Sequence, residues 1–513
     1  MDFEYIGTVA GKRIFQYNSI HKCSIEEFEN EIQKYDILMV LRKLSDLSTS
    51  LYKNGGRFVL YKDKIPVTDD IILSLGLLLI QKYNERKERE ITDDEFEILL
   101  DEYFYLHSQE TIHGINQANE AIIRLAYREF QYQEKLLNSM ARTIIIYNEL
   151  WDKYIGKKSE EMFDETFGLS LDQLCFHSYL FFGPERSFYY GLGDSLITEL
   201  KNNIEFIIDK ETELKYLSWA SGIFEQIKNY KDSLNNPLTK YPIINTKIIP
   251  EGQLKPVFLL LSRNALYFKL THGIYFDFIE KYSLGKGNNQ FKTDYGIVFQ
   301  EYIGILLKHY YGTNVYSEIK YKKNKDYIDS TDWFVLIKKK LIIIEVKQSA
   351  LFLQTKQTGS MIEFEKDTKK TIRKAIDQLE RTKEDILSKN FKELSLFNTI
   401  ESIEKVCIVS DQMYFGNTIM KEINLKATDI HIIDISDFED MLEIHKNPND
   451  LYDILKFKRE NNQYSIMDFK DFIFQRYSQI KNDFKNEYLL NAFDNYFDNL
   501  LKKDFKFSNG MSG

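Results

Sequence analysis

The chain has 513 residues, 43% of them hydrophobic, and a formal net charge of −10, which supports roughly two to four domains with sizeable cores and argues against indiscriminate affinity for nucleic acid. Its three cysteines, Cys23, Cys175 and Cys407, are far apart, with no CxxC and no histidine pairing, which argues against a disulfide framework or a zinc site and fits a reducing cytosol. The longest apolar run, Ile71–Ile80, is too short to span a bilayer and reads as a buried helix, so no membrane partner is expected.

In chain order, Met1-Asp2-Phe3-Glu4 lacks the basic start and apolar run of a signal peptide, and a cytoplasmic location is expected. Residues 3–9 and 12–17 around Ala10-Gly11 predict a hairpin. Ser24 and Glu27 have capping-box spacing, and Phe28, Ile32, Leu38, Leu41 and Leu44 suit one helical face. Asn54-Gly55-Gly56 and Lys62-Asp63 punctuate an extended stretch over 58–67, which closes a small N-terminal segment, 1–67. From Asp69 to about Lys231 the pattern is mainly helical, with a second capping box at Thr92 and Glu95 and aromatics such as Phe96, Tyr103, Phe104, Tyr132 and Tyr189 at core spacing. This stretch carries no internal repeat, phosphate-binding glycine loop, nucleophile elbow or metal motif. Residues 68–285 are expected to form a helical domain that senses, binds a partner protein or makes a homo-oligomer.

Asn235-Asn236-Pro237 and Gly285-Lys286-Gly287-Asn288-Asn289 are the best linker signals, with an extended 241–249 and an apolar helix over 257–282 between them. The second linker introduces a region, 290–445, that predicts helix 295–311, strands 315–321, 332–337 and 341–346, helix 366–388, and strands 405–410 and 431–435. Ser436-Asp437-Phe438-Glu439 has the spacing of a third capping box. Residues 446–507 read as C-terminal helices and 508–513 as a disordered tail.

The chemistry-bearing residues gather in one stretch of this region. Trp333–Ile337 and Leu341–Val346 are apolar, β-branched runs around a short lysine turn, the pattern of an antiparallel hairpin buried on both faces. Asp332 opens the first strand, while Glu345 and Lys347 close the second on one face, with Val346 pointing away. Two carboxylates beside a lysine make a hard-oxygen site. Asp332, Glu345 and the Val346 carbonyl suit Mg²⁺, with Mn²⁺ able to substitute, and such a metal activates water and neutralises charge on a phosphate. Lys347 would position or deprotonate that water. Between Val315 and Lys374 there are 14 basic against 8 acidic residues, a local excess of +6 that includes Lys320, Lys322, Lys323, Lys338, Lys339 and Lys340, candidates for binding nucleic-acid phosphates.

The string Asp332 … Glu345-Val346-Lys347 resembles the PD-(D/E)XK nuclease superfamily, with Thr331 where its motif often has proline. Gly296-Ile297-Val298-Phe299-Gln300-Glu301-Tyr302 looks like the helix on which the superfamily often carries a further acidic residue, matched by Glu301. Ala375-Ile376-Asp377-Gln378-Leu379 looks like the helix that bears a glutamine in some branches, matched by Gln378. The resemblance spans about 292–439. It implies an α+β or α/β multidomain chain in which a predominantly helical N-terminal region precedes a restriction-endonuclease-like mixed sheet with flanking helices. It further implies a Mg²⁺-dependent nuclease acting on DNA, with RNA also a candidate, in the manner of a prokaryotic defence or restriction effector. The competing reading is a catalytically silent nuclease-like fold that binds nucleic acid or supports assembly.

Overall fold

The computed structural model describes residues 3–9, 12–17, 19–54, 58–83, 89–112, 118–129, 136–182, 188–189, 209–230, 236–248, 257–283, 289–348, 351–410, 412, 429–465, 467–477 and 485–504. Tyr132, the glycines of the second linker and the tail 508–513 lie outside them. Among the described residues no helix is long and apolar enough to cross a membrane.

The fold is mixed α/β. Strands β1 (Phe3–Val9) and β2 (Lys12–Tyr17) pair as the expected hairpin, and β3 (Val59–Tyr61) pairs with β4 (Ile65–Val67). The helix Ile25–Ile32 opens on the predicted capping box, in which Ser24 and Glu27 satisfy each other's backbone amides, and Thr92 and Glu95 do the same. Strands β5 (Phe188–Tyr189), β6 (Ser221–Ile223), β7 (Ile243–Asn245) and β8 (Phe258–Leu260) form a small sheet within the otherwise helical stretch. The apolar run at Val257 thus begins as a strand, and the helix starts only at Arg263, where the Ser262 hydroxyl caps the Ala265 amide. A short apolar run fits either element, and the cap decides where the helix begins.

The C-terminal half is built on a five-stranded sheet. Its order is β15 (Ile430–Asp434), β14 (Ser402–Val409), β13 (Lys340–Lys347), β12 (Trp333–Ile337) and β9 (Val315–Ser317), the first three parallel and the last two antiparallel to their neighbours. The predicted strand over 315–321 divides. After β9 the chain runs on into a separate hairpin, β10 (Lys320–Lys323) and β11 (Asp326–Asp329), turned by Asn324 at φ +59°. The predicted helix over 366–388 is likewise divided, into Met361–Lys370 and Ile372–Ser388, with Leu353–Thr358 before them.

Period-2 alternation gives the sheet two buried faces. Trp333, Val335, Ile342, Ile344 and Val346 pack on the helix Gln290–Tyr311, while Phe334, Leu341, Ile343 and Cys407 pack on the helix Ile372–Ser388. Gly304 permits the first contact, because a Cβ there would lie 2.1 Å from the Trp333 ring. The boundary expected near 285 is crossed by a continuous core. Tyr147, Trp151 and Phe278 from the helical stretch interlock with Phe291 and Tyr295 of the helix Gln290–Tyr311. The residues expected to cap a helix at 436–439 do other work. Asp434 caps the helix Ile435–Ile444 through the Asp437 amide, and Glu439 is buried against Arg142.

Candidate active site

Asp332 stands one residue before Trp333, which is paired with Ser317 of β9 on one side and Ile344 of β13 on the other. Extending both registers by one residue sets Glu318, Asp332 and Glu345 abreast at one end of the sheet, and directly opposed residues of antiparallel strands share a face. That face is the one covered by the helix Ile372–Ser388. Lys347 follows on the same side, and Cys407 is the parallel partner of Glu345 in β14.

These side chains meet as the sequence reading expects. The Val346 N–H donates to Asp332 Oδ2 at 2.6 Å, and the Lys347 ammonium donates to Glu345 Oε1 at 2.5 Å. Asp332 is 8% exposed and Glu345 1%. Glu345 Oε2 is buried with no hydrogen-bond partner. Burial raises Glu345 above the usual carboxylate range and the charge of Asp332 adds to the rise, while Lys347 pulls the other way. Burial likewise raises Asp332, against the Val346 amide and Lys347. For Lys347 burial alone would lower the pKa, but the charge and hydrogen bond of Glu345 outweigh it and hold the ammonium protonated above its ordinary value. Burial pushes the Cys407 thiol up to about 12, so it is an inert wall of the site.

Gln378 is near, in a supporting place: its Nε2 donates to the Ser330 carbonyl at 2.6 Å, and one turn on, Arg381 donates to the Asp329 carbonyl at 2.7 Å. The helix Ile372–Ser388 thus holds the backbone that delivers Asp332. Beyond Lys347, Gln348 Nε2 donates to the Tyr275 hydroxyl at 2.9 Å, which ties the end of β13 to the helix Ile274–Lys281.

The other predicted residues stand apart from this pair. Glu301 lies on the helix that covers the opposite face of the sheet, the Trp333 and Val346 side, and among the described residues it completes no three-carboxylate metal cluster with Asp332 and Glu345. The carboxylate that does stand beside Asp332 is Glu318, raised by lost hydration and then by the Asp332 charge. Only the β9 register reveals it, since strand periodicity within β12 and β13 says nothing about a third strand. Lys338, Lys339 and Lys340 sit at the turn of the β12–β13 hairpin, the far end from Asp332 and Glu345, roughly 17 Å away at ~3.3 Å per residue. There Lys339 pairs with Glu401 and Lys340 with Asp453. Lys323 is spent in a structural contact with Asp385 at 2.7 Å, alongside the Tyr321 hydroxyl. Lys320 is near enough to Glu318 for its charge to act on it and makes a loose 3.5 Å pair with Asp329, while Lys322 makes no ion pair among the described residues.

The donor set is hard oxygen: two carboxylates, one with an orphaned buried oxygen, and a third in register beside them. Among the described residues no three His, Cys, Asp or Glu side chains converge closely enough to enclose a metal ion. Two carboxylates completed by water and phosphate oxygens are nonetheless what Mg²⁺ commonly takes, so the residues fit that ion as an open site and do not form a closed cage. In comparisons with known proteins, no family model matches the chain, and neither a curated protein nor a solved structure gives a significant match.

Proposed function

We propose that the chain is a divalent-cation-dependent nuclease that hydrolyses phosphodiester bonds of DNA. The observation that carries this reading is the Glu345 carboxylate, buried with one oxygen held by Lys347 and the other unpartnered. A buried acceptor is almost always satisfied, and perturbed, incompletely satisfied carboxylates gather at functional sites.

Asp332 and Glu345 would hold Mg²⁺, or Mn²⁺ in its place, and the ion would supply Lewis acidity for activating water and neutralising phosphate charge. The Val346 amide fixes Asp332, and its strand holds Glu345 beside it. Lys347, kept protonated by Glu345, acts as a cation toward the phosphate and not as a base, stabilising charge that grows in the transition state. Gln378 is a positioning residue, acting through the Ser330 carbonyl on Asp332. A role in prokaryotic defence or restriction rests on the family resemblance alone.

The test incubates the purified protein with linear, circular and single-stranded DNA and with RNA, with Mg²⁺, with Mn²⁺ and with chelator. Strand scission is expected only with the cations, and it should vanish in Asp332→Ala and Glu345→Ala. Cation-independent scission, or full activity in either variant, overturns the assignment. Nucleic-acid binding without scission in any condition would favour the catalytically silent module.

A further inference from the structure

The lysines of the 315–374 stretch are only partly available for phosphates, despite its local excess of +6. Lys323, Lys339 and Lys340 are committed to carboxylates, and the chain carries a net charge of −10. A surface that follows a duplex needs a broad basic stripe, whereas a few nucleotides of single strand are held by a short basic track with aromatic faces for the bases.

Two exposed aromatics lie close in the chain to the site, one on each side of it. In the β10–β11 hairpin, Tyr321 and Lys323 point inward to Asp385 of the helix Ile372–Ser388. Alternation therefore puts Lys320, Lys322, Tyr327 and Asp329 on the outer face, with Tyr327 directly opposite Lys322. Tyr327 is 64% exposed, and its ring meets no other among the described residues. On the other arm, Phe352 is 48% exposed although its backbone is clamped, its N–H donating to Asp367 Oδ2 at 2.8 Å. Its ring faces the Lys370 ammonium at 5.6 Å. Tyr327 precedes Asp332 by five residues and Phe352 follows Lys347 by five, so each lies within roughly 17 Å along the backbone of a site residue, about five nucleotides of stacked strand.

The depth of the site points the same way. With Glu345 buried and Asp332 nearly so, a phosphate must enter below the protein surface to reach them, which a strand freed from its partner does more readily than one held in a stacked duplex. We propose, resting on the nuclease reading above, that the site takes single-stranded or locally unpaired nucleic acid. Tyr327 and Phe352 are its base-stacking platforms, and Lys320 and Lys322 its phosphate contacts.

The test measures binding in chelator, where cleavage does not intrude, using a fluorescein-labelled single strand and the blunt duplex of the same sequence. The wild type should bind the single strand at least about tenfold more tightly. Tyr327→Ala and Phe352→Ala should each weaken single-strand binding roughly 5- to 100-fold with little change in salt dependence, Tyr327→Phe should retain it, and Lys322→Ala should lower the salt slope by about one. Both aromatics are exposed, so unchanged melting curves confirm that the variants fold. Equal or tighter duplex binding, or wild-type affinity in both alanine variants, overturns the proposal. Cleavage with Mg²⁺ on the same preparations separates the two readings. A protein that prefers and cuts duplex refutes the single-strand inference alone, and one that holds single strands through these aromatics yet cuts nothing refutes the nuclease reading alone. DNA and RNA strands run in parallel identify the sugar.

Discussion

Two buried glutamates, Glu439 in the helix Ile435–Ile444 and Glu345 in strand β13, differ in how they are satisfied. Glu439 is fully enclosed and receives Arg142 Nε and Nη2 at 2.8 and 2.9 Å and the Tyr302 hydroxyl at 2.7 Å, while Asn486 bonds its carbonyl. Both carboxylate oxygens are taken, and the network joins the helices Leu136–Ile144, Gln290–Tyr311 and Ile435–Ile444 to the residue that precedes the last described helix. Glu345 is as deeply buried but has one lysine contact, an orphaned oxygen and a second carboxylate alongside. A satisfied buried charge holds elements together, whereas an unsatisfied one is maintained against the stability of the fold and is the kind of group that gathers at functional sites. The β12–β13 hairpin repeats the contrast along its length, with buried, unbalanced charge at the Asp332 end and exposed lysines at the turn, two of them paired.

The sharpest break in the comparison is expected from substitution at the unsatisfied end. Glu345→Ala should abolish cleavage while leaving the melting transition in place, checked by scission assay and circular dichroism on one preparation. Lys347→Ala should cost roughly two to four orders of magnitude in single-turnover rate, with nucleic-acid binding retained. If it instead weakens binding and cuts bound strands at the normal rate, Lys347 is a phosphate contact only.

At the satisfied end the effects should fall on stability. Arg142→Ala leaves Glu439 buried without its cation and should destabilise by about 3–5 kcal/mol in urea denaturation. Glu345→Gln should do the reverse in metal-free buffer. The folded-state pKa of Glu345 lies above its ordinary value, so its favourable contribution is complete below about pH 4.5 and is lost as pH rises toward the folded-state pKa. Above that range the ionised carboxylate works against folding, and the amide should raise Tm by about 2 °C, a gain that shrinks to nothing near pH 4.5. The smallest effect belongs to the hairpin turn. Lys339→Ala should alter neither activity nor nucleic-acid affinity, since Lys339 is exposed and, among the described residues, its ion pair is with Glu401.

What could be read from the chain was whatever depends on near neighbours. The Asp332–Lys347 hairpin was legible because two β-branched runs around a short turn place their ends together without reference to the rest of the fold. The capping boxes at Ser24 and Thr92 were legible for the same reason. Residues whose role depends on a distant partner were not. Glu301 was singled out because a helix position matched a family pattern, whereas Glu318 left no mark, because the β9 register that sets it beside Asp332 is displayed only by folding. Glu439 looked like a cap because Arg142, its partner nearly 300 residues away, leaves no local trace. The Lys338–Lys340 turn is a different case: the hairpin geometry already put it at the far end, and local positive charge drew attention from that distance. Gln378 was legible as a neighbour of the site but not as the support of Ser330.

The most direct measurement is Mn²⁺ binding followed by electron paramagnetic resonance in the wild type and in Glu345→Gln, with no nucleic acid present. Saturable binding by the wild type that is lost in the variant is the expected result, since the orphaned Glu345 oxygen is the donor removed. Undiminished Mn²⁺ binding by Glu345→Gln, or no saturable binding by the wild type, would contradict the assignment of this sheet end as the cation site.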